Sequence, residues 1–311
     1  MRGAVILFAL AGCLPVTARE AEVADALTEL SRGDADPARQ HWREMMAFYR
    51  AREPQHCLPD VETVFAEPEG VVPPRRVAGT MPHYDWFDGP VHYRVGAVPG
   101  HFRVELAIAV DIAPGGRLEL PDCVLKDRLE GEVVCEGTTY EEAVGRDACP
   151  DSGRFEAEAT PHNLRVLLEH WSQAAEQFWN RDALRYDLPV RYDFTFFAPA
   201  LGQSGPPRVD VRMPLATSCA RMPYFTALRS GWSTPIVAHE VGHFLGLLDE
   251  YEALSGVFYE KTPFAGSEGS RMGLSMKVDT RLYPFHHYLV LRWHHCAAPA
   301  GDTFRDVLLS R

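Results

Sequence analysis

The spacing of apolar residues divides the chain into a helical start, a strand-rich middle and a mixed second half. Residues 20–52 carry apolar side chains at helical intervals with one break at 33–37, which predicts two packed helices. From residue 61 to 158, apolar and polar residues alternate between turns rich in Pro and Gly, which is typical of short strands. We therefore expect two helices followed by a small β-sandwich-like domain.

The second half opens on a long helix and continues with strands. Residues 162–184 place Leu164 and Leu168 on one apolar face, so this helix is expected to cover a sheet. Strands are predicted at 192–197 and 208–213. Helices and strands that follow one another in this way indicate the α+β class.

A helix predicted near residues 234–245 carries chemistry as well as packing, because it contains the pattern His239-Glu240-x-x-His243. Residues four apart on a helix point in nearly the same direction, so both imidazoles can face one ion, and zinc accepts such a pair. Glu240 would lie beside the remaining coordination position, where a carboxylate can take a proton from water. His239 and His243 are predicted zinc ligands, and Glu240 is the predicted general base.

The ends of this helix have their own signals. Thr234 fits an N-cap position, with Pro235 as the first helical residue. If the helix continued, Asp249 would lie roughly 9 Å beyond His243 along the axis, too far to share an ion. Gly246 can adopt the left-handed conformation that ends a helix and turns the chain back. The break therefore predicts that Asp249 returns as the third zinc ligand.

The complete pattern His239-Glu240-x-x-His243-x-x-Gly246-x-x-Asp249 resembles the extended zinc signature of the metzincin metallopeptidases, with Asp where they usually have a third His. Snapalysin-like enzymes carry that Asp, and the ending Asp249-Glu250-Tyr251 is similar to that of bacterial IgA-peptidase-type metallopeptidases. The resemblance implies a metzincin-like catalytic domain with a long helix, a twisted mixed sheet, the zinc helix, a methionine turn and a C-terminal helix. It also implies that the strand before the zinc helix is an exposed edge that pairs with an extended peptide.

The methionine turn of metzincins lies beneath the metal. Ser270-Arg271-Met272-Gly273 is similar to that turn and follows the zinc pattern by a few tens of residues, whereas Met276 is the weaker match. Leu274 stands where the family frequently has a tyrosine two residues after the methionine. The resemblance therefore implies a turn centred on Met272 without that tyrosine.

The last predicted helix lies within residues 283–296 and contains four histidines. Adjacent histidines on a helix point about 100° apart, and no carboxylate completes a site, so a second metal site is not indicated. We expect this helix to pack beneath the active site through Leu289, Val290 and Trp293. The candidates to reach the cleft and stabilise an oxyanion are Tyr283, His286, His287 and Tyr288.

The start of the chain predicts export. Arg2 and the apolar run at 4–11 are typical of a signal peptide, and the run is too short to remain as a membrane span. Two processing sites compete: Val16-Thr17-Ala18 fits signal-peptidase cleavage, and Leu10-Ala11-Gly12-Cys13 resembles a bacterial lipobox. We expect an exported protein, periplasmic, secreted or an outer-membrane lipoprotein, that touches a membrane only through a lipid on Cys13.

Charge limits the partners. The net charge is −12, and removal of residues 1–18 with their single Arg changes it to −13. Such a surface disfavours nucleic acid and anionic membranes as partners. The predicted organisation is a signal peptide at 1–18, an N-terminal helical segment at 19–55, a β-rich domain at 56–158 and a zinc metallopeptidase domain at 159–311.

Apart from Cys13 the chain has an even number of cysteines, which in an exported protein predicts disulfides. They are Cys57, Cys123, Cys135, Cys149, Cys219 and Cys296. Sequence alone cannot choose among their 15 pairings, and Cys123 with Cys135 is the best local pair. A zinc site built from cysteines would need Cys-x-x-Cys spacing, which is absent. Residues 55–60 resemble the matrixin cysteine switch, with one residue fewer, which would make Cys57 a zinc ligand in an inhibitory propeptide.

The pattern predicts an exported zinc endopeptidase that acts on protein or peptide substrates. His239, His243 and Asp249 bind Zn²⁺, and Glu240 moves the proton. Two other functions fit the same residues. A zinc hydrolase of cell-wall or other non-protein amides would share the chemistry. A cell-surface binding module would keep a structural zinc, with its fourth coordination position closed.

Overall fold

The structure is a computed structural model of the 311-residue chain. It describes residues 16–32, 39–53, 56–77, 79–81, 89–112, 115–137, 153–217, 227–250, 268–273 and 277–296. Within these ranges the fold is α+β, as predicted, with helices packed against a mixed sheet. Residues 1–15 of the predicted leader, which include the lipobox with Cys13, lie outside the described residues, as do Tyr251, Leu274 and Met276.

The helices and strands are numbered here in chain order over the described residues. The α-helices are α1 Ala18–Leu30, α2 Arg39–Arg52, α3 Val61–Val64, α4 Pro161–Arg185, α5 Thr234–Phe244 and α6 Pro284–Leu291. The strands are β1 Val72–Arg76, β2 Thr80–Met81, β3 Gly89–Pro90, β4 Arg94–Val98, β5 His101–Asp111, β6 Arg117–Glu119, β7 Val133–Gly137, β8 Gly153–Glu158, β9 Val190–Phe197, β10 Val211–Ala216 and β11 Leu228–Arg229. Short 3₁₀ turns are Lys126–Arg128, Pro199–Leu201 and Arg292–His294.

The main sheet is organised around β5. Its strand order is β1-β4-β5-β10-β11, and β9 also pairs with β5. β1 and β4 run antiparallel to their neighbours, while β9, β10 and β11 are parallel to theirs. A second sheet, β6-β8-β7, is antiparallel. The last strand of the main path, β11, ends a few residues before α5, so the sheet fixes where that helix begins.

The prediction that residues 56–158 form a separate β-sandwich is wrong, because some strands of this region belong to the main sheet. β5 comes from that region, yet it pairs with β9 from Phe102↔Val190 to Ala109↔Phe197. The predicted boundary between residues 158 and 159 therefore divides one continuous sheet. The reason lies in β5 itself: its side chains alternate at first, but 106–110 are all buried. A strand covered on both faces needs a continuous apolar run, which is typical of strands with parallel neighbours.

The long helix α4 forms as predicted and holds α5 in place. Thr160 caps it by accepting a hydrogen bond from the backbone N–H of Asn163, and Pro161 opens the first turn. The indole of Trp179, which is fully buried, donates to the backbone carbonyl of Ala238 at 3.0 Å. Ala238 is in α5, so this bond ties the helix that covers the sheet to the helix that carries the zinc pattern.

The N-terminal helices pack against the end of the chain. Trp42 of α2 stacks on Phe285 of α6, with ring centroids 5.3 Å apart. Just after α2, the Glu53 carboxylate pairs with the Arg292 guanidinium, and both side chains are buried. The N-terminal helical segment therefore packs into the same hydrophobic core as α6 and the helix that carries the zinc pattern.

Two disulfides lie within the described residues. Cys123–Cys135 confirms the predicted local pair, and Cys57–Cys296 joins the chain just after α2 to the chain just after α6. Because its sulfur is bonded to Cys296, Cys57 is not the zinc ligand of a cysteine switch. Cys149 and Cys219 lie outside the described residues. Disulfides are typical of oxidising compartments, in line with the expected export.

None of the described helices combines the length and the apolar character that crossing a bilayer requires. The most extended, α4, carries polar and charged side chains along one side over its 25 residues. Apart from the exposed Leu184, its large apolar side chains are buried in the core.

Replacing Cys57 and Cys296 by serine should lower the free energy of unfolding by about 4–5 kcal/mol, against about 3 kcal/mol when Cys123 and Cys135 are replaced. The bonds span 239 and 12 residues, and a longer closed loop restrains the unfolded chain more. Urea unfolding of the two double variants measures both losses. A smaller loss for the longer loop would contradict this account.

Candidate metal centre

Helix α5 begins one residue earlier than the capping signals suggested. Ser233 is the N-cap, with extended backbone, while Thr234, the predicted N-cap, is the first helical residue and Pro235 follows in the first turn. Ser and Thr are both good N-caps, so sequence could not choose between neighbours. Val237 and Val241, which lie on the helix face opposite the histidines, are buried in the core.

The helix ends at Gly246 as predicted. This residue has φ +90°, in the left-handed region that glycine adopts without steric cost. The N–H of Gly246 donates to the carbonyl of His243, and the N–H of Leu247 donates to the carbonyl of Gly242, both at 2.9 Å. These two bonds form a Schellman motif, which satisfies carbonyls at the helix end and reverses the chain.

The reversal brings the three predicted ligands together. His239 Nε2 lies 3.1 Å from His243 Nε2, and Asp249 Oδ1 lies 3.1 Å and 3.4 Å from those two nitrogens. Donors that surround zinc tetrahedrally at about 2.0–2.1 Å are about 3.3–3.4 Å from one another. The three atoms thus have a spacing that suits a zinc ion, and two imidazoles with a carboxylate are a donor set that zinc accepts.

Backbone carbonyls fix the orientation of both imidazoles. Nδ1 of His239 donates to the carbonyl of Arg271 at 2.8 Å, and Nδ1 of His243 donates to the carbonyl of Leu247 at 2.9 Å. A carbonyl only accepts, so each Nδ1 carries a hydrogen and each Nε2 is the atom left for a cation. If both rings were neutral, the lone pairs on their Nε2 atoms would point at each other and repel. A positive charge between the two Nε2 atoms removes this repulsion.

The charges around the ligands also favour a cation. Burial lowers the pKa of His243, but the carboxylate of Asp249, its hydrogen bond and the charge of Glu240 outweigh burial and raise that pKa to about 9. Burial raises the pKa of Asp249, and the two histidines more than reverse this, so its pKa is well below the ordinary value. The carboxylate is therefore ionised and available as a ligand.

Glu240 stands beside the three ligands without belonging to their group. Its Oε2 lies 4.0 Å from His243 Nε2. Burial raises the pKa of the Glu240 carboxyl, although the nearby histidines lower it in part. A carboxylate with a raised pKa is a stronger proton acceptor than an ordinary glutamate. Glu240 therefore lies next to the three predicted ligands, and its role as a general base stays a prediction.

A tight turn lies under α5 at Ser270–Gly273, where the sequence predicted one. The N–H of Gly273 donates to the carbonyl of Ser270 at 3.1 Å, and Met272 is fully buried. A Cβ atom on Gly242 would come within 2.5 Å of the Met272 sulfur, so glycine is needed for this close approach. Sequence reasoning missed Gly242; its signal was a small residue between the two histidines.

The side chain of Arg271 holds this turn in place, a role that sequence reasoning also missed. Its side chain is buried, lies 4.2 Å from the centroid of the Phe178 ring, and donates to the carbonyls of Lys277 and Thr280 at 2.8 Å and 2.6 Å. Its own carbonyl accepts the hydrogen bond from His239. The guanidinium thus anchors the backbone group that orients one predicted ligand.

A buried pair fixes the residue after Asp249. The backbone N–H of Tyr283 donates to His286 Nδ1 at 2.8 Å, so Nε2 carries the hydrogen and donates to Glu250 Oε1 at 2.7 Å. The N–H of Glu250 donates to the carbonyl of Met272 at 2.9 Å. Glu250 therefore joins the predicted ligand loop to both the methionine turn and α6.

The four polar aromatic residues that the sequence offered as candidates to reach the cleft are buried, and their role stays a prediction. Tyr283, His286, His287 and Tyr288 are 6%, 1%, 0% and 0% exposed. His287 Nδ1 contacts the Tyr192 hydroxyl at 2.7 Å, and the Tyr288 hydroxyl donates to the carbonyl of Pro59 at 2.8 Å. All residues of α6 are buried, and His287 Nδ1 and the Tyr288 hydroxyl take part in internal hydrogen bonds.

The strand that precedes the zinc helix matches its predicted place only in part. Among the described residues, β11 is the terminal strand of the main sheet, which is the edge position expected for peptide pairing. Leu228 and Arg229 are both buried, however, at 1% and 6% exposure. Residues 218–226, between β10 and β11, lie outside the described residues.

Comparisons with protein-family models, curated proteins and solved structures give no significant match to this chain. The basis for a functional assignment is therefore the arrangement of the residues themselves. Its central part is the group of His239, His243 and Asp249, which could hold a metal ion.

Replacing Gly246 by alanine should lower the free energy of unfolding by about 2–4 kcal/mol, because left-handed alanine costs about 1–2 kcal/mol and overpacking adds to this. The added Cβ would meet Val91 at 2.6 Å. Gly100 is a matched control: its φ is +88°, and nothing lies within 4 Å of its added Cβ. Urea unfolding measures both variants, and equal losses would contradict a packing role for Gly246.

Proposed function

We propose that this protein is an exported zinc endopeptidase of the metzincin-like type, which hydrolyses peptide bonds in protein or peptide substrates. The observation that carries the proposal is the convergence of His239, His243 and Asp249 at 3.1–3.4 Å, with Glu240 beside them. The order of a long helix, a mixed sheet, the zinc-pattern helix, a methionine turn and a last helix adds support.

The proposed metal ligands are His239 Nε2, His243 Nε2 and Asp249 Oδ1. Zinc held there would supply Lewis-acid polarisation of the substrate carbonyl and would lower the pKa of a water molecule. The chain contributes orientation, because carbonyls of Arg271 and Leu247 fix the two imidazoles. It also contributes a buried and ionised carboxylate at Asp249.

Glu240 is the proposed proton carrier. Its carboxylate accepts a proton from the attacking water as the water oxygen bonds to the carbonyl carbon of the peptide. The same proton then passes to the amide nitrogen as the C–N bond breaks, so that the amine leaves neutral and Glu240 is restored. The raised pKa that burial gives Glu240 suits both steps, because the group must first hold and then release the proton.

The number of ligands favours an enzyme over a binding module with a structural zinc. Structural zinc sites are closed by four protein ligands, whereas catalytic sites use three and leave one position for water or substrate. Within the described residues the group has three members. Glu240 is close enough to act on a molecule at the remaining position.

Replacing Glu240 by glutamine should lower kcat/KM by about 10²–10⁴-fold, because the amide cannot accept the proton. Zinc content should stay the same, since Glu240 is not among the proposed ligands. A proteome-derived peptide library, incubated with and without a chelator and read by mass spectrometry, supplies the substrates and the activity measurement. Glu62→Gln on α3, an exposed glutamate, is the matched control. Undiminished cleavage by the Glu240 variant would refute the assigned role.

Replacing Asp249 by alanine should raise the zinc dissociation constant by more than about 100-fold. Loss of an outer-shell partner weakens metal binding by up to about that factor, and this substitution removes a direct ligand. Metal analysis after dialysis against a weak chelator measures the loss. Asp193→Ala, which removes a half-exposed carboxylate on β9, should retain full zinc content. If the Asp249 variant retained it too, the aspartate would not be a ligand.

A further inference from the structure

The chain between Gly246 and Asp249 decides where the third proposed ligand lies. Its backbone groups are held one by one. The N–H groups of Gly246 and Leu247 bond to the end of α5, and the carbonyl of Leu247 accepts from His243 Nδ1. The carbonyl of Gly246 and the N–H of Leu248 need partners from elsewhere, because buried backbone groups without partners are costly.

A tyrosine from the N-terminal segment supplies both partners. The hydroxyl of Tyr49, on α2, accepts a hydrogen bond from the N–H of Leu248 at 3.1 Å and donates to the carbonyl of Gly246 at 3.4 Å. Tyr49 is 1% exposed. Burial raises its pKa, so the hydroxyl keeps its hydrogen and can serve both groups.

Tyr49 is itself held firmly. Four residues later, Glu53 pairs with the buried Arg292, whose guanidinium lies 5.6 Å from the centroid of the Tyr49 ring. Arg292 also donates to the carbonyl of Cys57 at 3.0 Å, next to the Cys57–Cys296 disulfide. The hydroxyl is therefore presented by a fixed surface, which is what a group that positions a loop requires.

We propose that Tyr49 is a positioning residue for the zinc site, holding residues 246–248 so that Asp249 reaches the metal, and that α2 is a permanent part of the active protein. This inference rests on the proposed zinc function. A permanent supporting role of α2 can be distinguished by experiment from the role of an inhibitory propeptide. A propeptide blocks the metal and is removed on activation, whereas loss of the Tyr49 contact should weaken metal binding.

The test compares Tyr49→Phe with Tyr93→Phe in the full chain. Both tyrosines are buried, and both hydroxyls bond to backbone groups, but the Tyr93 hydroxyl donates to the carbonyl of Val290 at 2.7 Å, which belongs to α6 and not to the ligand loop. Each substitution keeps the ring. Zinc affinity is measured by competition with a chromophoric chelator, and the visible spectrum of the cobalt-substituted protein reports ligand geometry. Thermal unfolding measures the stability of each variant.

We expect the zinc dissociation constant of Tyr49→Phe to rise about 10–100-fold, as for outer-shell partners of other metal sites, and its cobalt spectrum to change. Tyr93→Phe should keep the wild-type affinity and spectrum even if its melting temperature falls equally. Hydrogen exchange on the metal-free protein should be faster at 246–250 in Tyr49→Phe alone.

The outcomes separate the two proposals. Wild-type protein that binds no zinc would overturn the proposed function and this inference with it. Zinc binding by the wild type with unchanged affinity and spectrum in Tyr49→Phe would overturn the inference alone. Equal losses of affinity in both tyrosine variants would also overturn it, because they would reflect general loosening of the core and not a contact to the ligand loop.

Discussion

The site depends on one geometric constraint: three donors must meet, and one helix can direct only two of them to the same point. His239 and His243 satisfy the helical part. Asp249 can join them only if the backbone reverses within a few residues, and Gly246 at φ +90° makes that reversal. A side chain there would be strained by its conformation and would also press on Val91, so local conformation and packing both require glycine.

Each proposed ligand is fixed from a different part of the fold. The Arg271 carbonyl, from the methionine turn, orients His239, and the reversed loop itself orients His243. The chain on either side of Asp249 is held by Tyr49 from α2 and by the Glu250–His286 pair from α6. Hydrogen bonds from three separate elements can hold a donor group more precisely than a loop on its own.

Sequence predicted the parts of this site whose geometry is local. The two histidines, the glycine and the aspartate lie within eleven residues, where helix periodicity and glycine conformation decide the outcome. Glu250–His286, Tyr49–Leu248 and Cys57–Cys296 are 36, 199 and 239 residues apart, and no local pattern specifies such pairs. The same limit explains β5: its alternation was visible, but its pairing with β9 across the predicted domain boundary was not.

The long-range contacts link the proposed metal site to the packing of the N-terminal helices. If α2 holds the loop before Asp249, then the docked position of α2 and the metal-binding position of Asp249 favour each other. Coupling of this kind is reciprocal: whatever free energy α2 adds to zinc binding, bound zinc adds to the docking of α2. The Cys57–Cys296 bond acts on the same equilibrium, because it keeps α2 close to α6 even when the hydrogen bonds of Tyr49 open.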